Sequence, residues 1–113
     1  MSLDNFLAKI KTNEAVSFND TIAVITENYD YSPTAFQNGN VENAAGQNEG
    51  SCKIFAFAKL NNLSANETLT LFGDYYRVDV LQNPDASDHQ NIRQFIQNGW
   101  AGVVFESEAL KAK

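Results

Sequence analysis

The sequence has few of the residues that most often carry catalysis or cross-links. Its 113 residues include one cysteine, one histidine, one tryptophan and two prolines. A single cysteine excludes an internal disulfide framework and a cysteine-based zinc site. No apolar run reaches the ~18 residues of a membrane span, and residues 1–15 lack the apolar core of a secretory signal peptide. We therefore expect no membrane partner.

Basic residues are also scarce, with 8 lysines and arginines against 14 acidic residues and a net charge of −6. This balance argues against a nucleic-acid partner, because phosphates require a basic face. The acidic residues are scattered, and the sequence contains neither a zinc-binding HExxH motif nor a calcium-binding DxDxDG loop nor a phosphate-binding Gly-Lys-Ser/Thr element. We expect no metal site and no cofactor.

Enough apolar residues are present for one core, since 43% of the chain is hydrophobic. A chain of this mass should expose roughly 6,000 Å² when folded and roughly 18,000 Å² when unfolded. No linker or repeat divides it, and domains usually run ~100–200 residues. The sequence therefore predicts a single domain over residues 1–113.

Apolar residues recur at helical spacing in five segments. Serine stands at the N-cap position of several of these segments, and Ser64 and Glu67 form a capping-box pattern. The predicted helices are 3–12, 18–29, 51–62, a helix after Ser64 that Gly73 is positioned to break, and a helix that begins at Ser87 or Asp88 and continues to Gln97. For 51–62 a strand remains an alternative, because its apolar residues also alternate.

Short strands complete the predicted fold. Residues 34–37 and 41–43 flank an Asn-Gly hairpin signal, and residues 100–105 are rich in strand-forming side chains. Residues 108–113 are expected to be a frayed basic tail. The predicted class is α+β, a mainly helical single domain of about five short helices with a small two- or three-stranded antiparallel sheet.

Cys52 and His89 form the one candidate catalytic pair. Cys52 precedes Lys53 near a predicted helix start, a setting that stabilises a thiolate, and His89 could act as its base, oriented by Asp88 or Asn91. The alternatives are that Cys52 packs as a small buried side chain and that His89 ties a helix start to a loop. Nothing in the spacing of the two residues decides between these hypotheses.

Candidate ligand-binding residues lie in three further places. The loop 37–50 is rich in asparagine and glycine and could line a pocket for an uncharged polar or anionic ligand, or could satisfy its own backbone. Tyrosine and arginine are common in binding hot spots, and a tyrosine–arginine segment lies at 75–77. The start of the last helix carries further polar side chains. The candidates are Asn38, Asn43, Asn48, Tyr75, Arg77, Asn91 and Arg93.

Five blocks of the sequence resemble the HopJ type III effector family. They read YDYSPTAFQNG at 29–39, AGQNEGSCKIFAFA at 45–58, FGDYYRVDVL at 72–81, DHQNIR at 88–93 and GWAG at 99–102. The resemblance covers roughly residues 2–112 and carries no assigned activity, catalytic residue or cofactor to this chain.

The resemblance implies an effector-like protein. From the candidate surface residues we expect it to act as a binding or interaction module, with a host or bacterial protein or a small polar ligand as partner. The resemblance also implies a bacterial cytoplasmic protein that is secreted into a host cell if it is a true effector. A cytosolic binder of small polar ligands is the alternative, and a thiol enzyme that uses Cys52 and His89 is favoured less.

Overall fold

The computed structural model describes residues 2–113 and has the predicted α+β fold. The α-helices of the described chain are α1 (Leu3–Lys11), α2 (Phe18–Asn28), α3 (Glu49–Leu60), α4 (Ala65–Thr70) and α5 (Gln90–Asn98). A π-helical segment, Tyr75–Val80, follows α4, and a 3₁₀ turn, Gly99–Gly102, follows α5. The strands are β1 (Tyr29–Tyr31), β2 (Phe36–Asn38), β3 (Val41–Asn43), β4 (Val103–Phe105) and β5 (Leu110–Ala112).

The serine-capped helices begin where the sequence predicts. The backbone N–H of Asn5 donates to Ser2 Oγ, and that of Asp20 donates to Ser17 Oγ. Ser64 and Glu67 form the reciprocal capping box, which satisfies two backbone donors at the start of α4. Gly73 has φ +61°, a left-handed conformation that ends the helical path and starts the π-helical segment.

Helix α3 lies at the centre of the core, so the alternative of a strand at 51–62 is wrong. Its residues 54–58 are all buried, whichever side of the helix they occupy. Phe55 packs against aromatic rings from four other segments, with ring centroids 5.0 to 6.3 Å away. The all-round apolarity of this segment therefore reflects a helix enclosed by its neighbours.

The strands form a long antiparallel ribbon with β3 added at one end. Tyr29 lies opposite Ala112 in β1–β5, and Phe36 lies opposite Phe105 in β2–β4. We call residues 29–38 and 103–112 the two arms of this ribbon. The spacing from Tyr29 to Phe36 on one arm equals the spacing from Phe105 to Ala112 on the other, so both strand pairs share one register. The ladder is interrupted at Pro33, which has no N–H to donate. Next to this gap, the hydroxyls of Thr34 and Ser107 are 2.6 Å apart and bridge the two arms.

Two predictions for the C-terminal region are wrong. Residues 99–102 form a 3₁₀ turn, so the strand predicted at 100–105 begins only at Val103. The predicted frayed tail is instead β5 with its preceding residue, and Ala109 and Leu110 are each only 3% exposed. The charged residues around them suggest a solvated end, but β5 pairs with β1 and contacts α3, and both apolar side chains belong to the core.

The hairpin is present but its turn is shifted by one residue. Asn38 pairs with Val41 at the end of the ladder, so Gly39 and Asn40 form the turn. Gly39 has φ +58°, as the first turn residue of a two-residue hairpin often requires. Asn38 is thereby drawn into the sheet, where its side chain is fully buried.

Candidate functional site

A cleft of about 320 Å³ lies where α2, α3, α5 and the π-helical segment meet. The sequence segments that form it are far apart: the start of α2, the start of α3, the residues around Gly73 and the start of α5. Its lining residues are Phe18, Val41, Asn48, Gly50, Ser51, Phe72, Tyr75, His89, Gln90, Asn91 and Ile92. Four of the candidate site residues, Asn48, Tyr75, His89 and Asn91, are thus brought together.

Two helices begin at the cleft without a side-chain cap. The N-cap of α3 is Asn48 (φ 49°, ψ 48°), and that of α5 is His89 (φ 50°, ψ 47°). Both residues are in the left-handed region and neither caps its own helix with its side chain. The first backbone N–H groups of both helices therefore lack a side-chain acceptor, and the positive ends of both helices face one cavity.

The cap predicted for α5, Ser87 or Asp88, is replaced by His89. The reason is that the side chain of Asp88 is engaged elsewhere: its Oδ1 accepts from Arg93 Nη2 at 2.7 Å. Arg93 also holds the Asp88 carbonyl oxygen through Nε at 2.6 Å. Arg93 pairing and the neighbouring His89 lower the pKa of the Asp88 carboxyl, with the Arg93 hydrogen bond the largest cause.

His89 is held by a carboxylate and by an aromatic ring. Its Nε2 lies 3.0 Å from Asp79 Oδ2 and 3.8 Å from Asp88 Oδ2. The Tyr75 ring lies against the imidazole, with centroids 5.2 Å apart, and the Phe18 and Tyr75 rings meet in an edge-type contact, with centroids 5.0 Å apart. Phe18, Tyr75 and His89 therefore form a row of rings along one side of the cleft.

Four asparagines form a network at the cleft, in which Asn48 and Asn91 line the cavity and Asn38 and Asn43 are buried. Asn43 and Asn91 exchange two hydrogen bonds, with Nδ2–Oδ1 distances of 3.2 and 3.0 Å. Asn48 Nδ2 donates to Asn43 Oδ1 at 2.6 Å, and Asn38 Nδ2 donates to the Asn91 carbonyl oxygen at 2.7 Å. The network joins the hairpin to the starts of α3 and α5.

Asn38 and Asn43, two of the predicted ligand-binding residues, are positioned inside this network. They are 0% and 2% exposed, and neither lines the cleft. Buried amides normally require hydrogen-bond partners; the Oδ1 atom of Asn38 is buried without one among the described residues. Their direct contribution is to hold the cleft walls together.

The two predicted arginines also lie outside the cleft lining. Arg77 donates from Nη2 to the Val16 carbonyl oxygen at 2.9 Å and contacts Asp74 at 3.3 Å. Arg93 binds the carbonyl oxygens of Asn83 and Pro84 in addition to Asp88. Both guanidinium groups tie loops to helices.

Cys52 is 1% exposed and does not line the cleft that His89 lines. Its Sγ lies 3.9 Å from the Thr34 carbonyl oxygen, beneath the ribbon. Burial raises the pKa of the Cys52 thiol, more than a hydrogen bond to Tyr31 lowers it. The Lys53 ammonium lies 4.8 Å from the centre of the Tyr31 ring. This environment favours the unreactive thiol over the thiolate.

Sequence reasoning missed several residues of the site. Phe18, Ser51 and Gln90 line the cleft, and Asp79 orients the His89 ring. Ser51 and Gln90 are adjacent in sequence to predicted candidates, which is a usable signal. No local signal connects Phe18 or Asp79 to the site, because their contacts depend on how α2 and the π-helical segment pack.

The described part of the chain contains no group of three or more His, Cys, Asp or Glu side chains that could hold a metal ion. Within residues 2–113, no helix combines the length and the apolar character that are needed to cross a bilayer.

Comparison with known proteins gives the family. A sequence model of the HopJ type III effector protein family matches residues 3–110. The chain therefore belongs to the HopJ family. It is also similar to a crystal structure of VPA0580, a protein of unknown function, with 52% sequence identity and a TM-score of 0.98. That match covers 100% of this chain and 95% of the other. No curated protein matches the sequence.

Proposed function

We propose that this HopJ-family chain is an effector-like recognition module that binds its target in the cleft between α2, α3, α5 and the π-helical segment. One observation carries the proposal: Asn48, Tyr75, His89 and Asn91, which come from three separate parts of the sequence, line one cavity. Ligand sites are typically concave and combine apolar walls with a few convergent polar groups. The cleft has both, in the ring row and the helix starts.

Binding accounts for the site better than thiol catalysis does. A cysteine nucleophile needs a thiolate and access to substrate, whereas Cys52 is enclosed and its pKa is raised by burial. His89, its proposed base, is paired with Asp79 instead. We therefore give Cys52 a packing role under the ribbon.

The recognition site can be tested by fragment binding in nuclear magnetic resonance spectra of the full chain. Small polar and aromatic fragments should shift the backbone amides of residues 48–51 and 89–92. Tyr75→Ala should weaken these shifts, because it removes the central ring of the row. Leu60→Ala is the matched control: Leu60 is 52% exposed and lines a separate groove of about 380 Å³ beside Phe105. Fragments that collect in that groove, and leave the cleft unaffected, would contradict the proposal.

We further propose that the protein is made in the bacterial cytoplasm and is delivered to a host cell by type III secretion. Membership of the HopJ family supports delivery to a host. The alternative, a cytosolic ligand binder, would use the same cleft without being exported. The full chain fused to a reporter that is active only in host cytosol should give signal with an intact secretion system and none with a disabled one. Equal signals from both strains, or no signal from either, would reject delivery while leaving the recognition site to its own test.

A further inference from the structure

A second groove, of about 380 Å³, lies between α5, the end of the π-helical segment and the loop that joins them. We call it the α5 groove, and Gln90 lines both it and the cleft. Two large apolar side chains of its lining, Leu81 and Ile96, are 54% and 45% exposed. Exposed apolar side chains that share one groove mark an interaction site, whereas isolated ones are ordinary. The apolar lining consists of Val80, Leu81, Pro84, Ala86 and Ile96.

Leu81 reaches the groove from the end of the π-helical segment. Its backbone N–H donates to the Tyr76 carbonyl oxygen at 3.0 Å, a bond that spans five residues where an α-helix spans four. Within residues 75–80 only Val80 is buried, and Leu81 follows it at the surface. Because π-helical turns are rare and often lie at functional sites, this exposure coincides with an uncommon backbone feature.

The charge beside the α5 groove is negative. Residues 74–97 contain four aspartates, two arginines and no lysine. Arg93, the one charged residue in the described lining, is 11% exposed and donates to Asp88 and to carbonyl oxygens of the loop. Arg77 is paired with Asp74. Asp85, which stands between two lining residues in sequence, has no ion-pair partner in residues 2–113. The protein therefore leaves negative charge at the groove uncompensated.

A helix from a partner fits this groove better than an extended segment does. An extended segment gains affinity by pairing with a free strand edge. The groove walls are instead helical turns and a loop that contains Pro84, which has no N–H to donate. A helix satisfies its own backbone groups, so only its apolar side chains need to enter the groove. Lysines or arginines beside that apolar face would meet the carboxylate of Asp85.

We propose that the α5 groove docks a basic amphipathic helix of a partner protein, whose apolar face lies on Leu81 and Ile96 and whose cationic side chains lie near Asp85. Burial of the two apolar side chains stabilises the complex. The negative charge favours association with a basic helix and disfavours an acidic one. This interaction surface goes beyond the proposed function and does not rest on what binds in the cleft.

The test uses the full chain and three synthetic peptides of equal length. The first carries leucines at helical spacing and lysines elsewhere, the second replaces every lysine by glutamate, and the third has the composition of the first without an apolar face. The first peptide should bind saturably and shift the backbone amides of residues 81–83 and 93–97. The other two should bind at least about tenfold more weakly. Equal binding of the lysine and glutamate peptides would overturn the assignment of a basic partner.

Matched variants separate docking in the groove from attraction to an acidic protein. Ile96→Gln should weaken binding of the lysine peptide about tenfold, because it removes an apolar contact from the exposed side of α5. Val104→Gln is its control, since Val104 is 62% exposed and lies on β4. Asp85→Asn should weaken binding about threefold and reduce its salt dependence. Glu42→Gln, at an exposed position of β3, should change neither. Equal effects of each variant and its control would overturn the groove assignment.

Three other results would reject this docking surface without deciding the proposed function. If sedimentation of the free protein shows a dimer that Ile96→Gln dissociates, the occupant of the groove is a second copy of this chain. If the peptide shifts only the amides of residues 48–51 and 89–92, it binds in the cleft. If fragments bind in the cleft and no peptide binds the protein, the proposed function stands and the docking proposal fails.

Discussion

Gly73→Ala should destabilise the protein by an amount that conformational preference alone does not explain. Gly73 has φ +61°, and a Cβ at this position would lie 2.6 Å from the backbone nitrogen of Phe18. It would also lie 3.1 and 3.2 Å from the carbonyl carbon and Cα of Ser17. These are backbone atoms at the start of α2, so no side-chain rotation can relieve the contact.

The expected loss has two contributions. A left-handed conformation costs an alanine about 1–2 kcal/mol, and overpacking against a rigid neighbour costs about 1–3 kcal/mol. Together they predict a loss of about 2–5 kcal/mol, against a total stability of about 5–15 kcal/mol for a domain. Because Gly73 lies two residues before Tyr75, the strain should also displace Tyr75 from Phe18.

Urea unfolding followed by circular dichroism measures the loss, provided that the denaturant dependence of the free energy of unfolding is unchanged. The control is Gly46→Ala, where φ is +86° and the nearest atom to the added Cβ is Glu49 Oε1 at 3.9 Å. This variant should lose only the conformational part, about 1–2 kcal/mol. Gly73→Asn should not recover the loss, because asparagine tolerates the dihedral but keeps the Cβ. Equal losses at Gly73 and Gly46 would refute the steric argument.

Two further predictions follow from burial. Leu110→Ala should lower the free energy of unfolding by about 2–5 kcal/mol, because Leu110 is 3% exposed. The control is Lys111→Ala, at an exposed neighbouring position, which should change the free energy of unfolding by less than about 0.5 kcal/mol. A negligible effect of both variants would mean that the C-terminal segment is not part of the ribbon. Cys52 should resist alkylation at pH 8 in the folded protein and react fully in urea, because its side chain is enclosed and burial raises the pKa of its thiol. Fast alkylation of the folded protein would contradict this prediction and support the thiol-enzyme hypothesis.

The elements that the sequence predicted well are those with local determinants. Helices α1, α2 and α4 each follow a serine whose side chain accepts a backbone N–H three residues later. Apolar spacing within each helix then selects the buried face. The serine cap and the apolar spacing are both set by residues within the helix itself or next to it, so neither depends on the rest of the fold.

The C-terminal arm of the ribbon could not be predicted in the same way. Its partner lies far away in sequence: Thr34 and Ser107, which bridge the two arms, are 73 residues apart. Segment 108–113 is short and charged, and Ala109 and Leu110 are buried only because distant parts of the chain, β1 and α3, pack against this segment. Strand pairing of this range carries no local pattern to find.

The candidate site could be predicted only in part, because which residues line it also depends on contacts between distant parts of the sequence. Composition marks asparagines as turn or binding residues, yet it cannot separate Asn48, which lines the cleft, from Asn38 and Asn43, which are buried. Their side chains have identical chemistry, and only the partners differ. Arg93 likewise has the profile of a binding residue, whereas its guanidinium donates to three backbone carbonyls and to the Asp88 carboxylate.

The two helices that begin at the cleft are uncapped for the same reason: the side chain of each N-cap residue bonds to another part of the protein. Asn48 and His89 are the N-caps of α3 and α5, but Asn48 donates to Asn43 and His89 pairs with Asp79. Losing a capping hydrogen bond typically costs about 1 kcal/mol of stability, and both residues also adopt a left-handed conformation. The serine caps elsewhere in the chain show that the fold accommodates the ordinary arrangement. Departures from local rules concentrate at functional sites, and here both departures meet in one cavity, which is the reason to search for the ligand there.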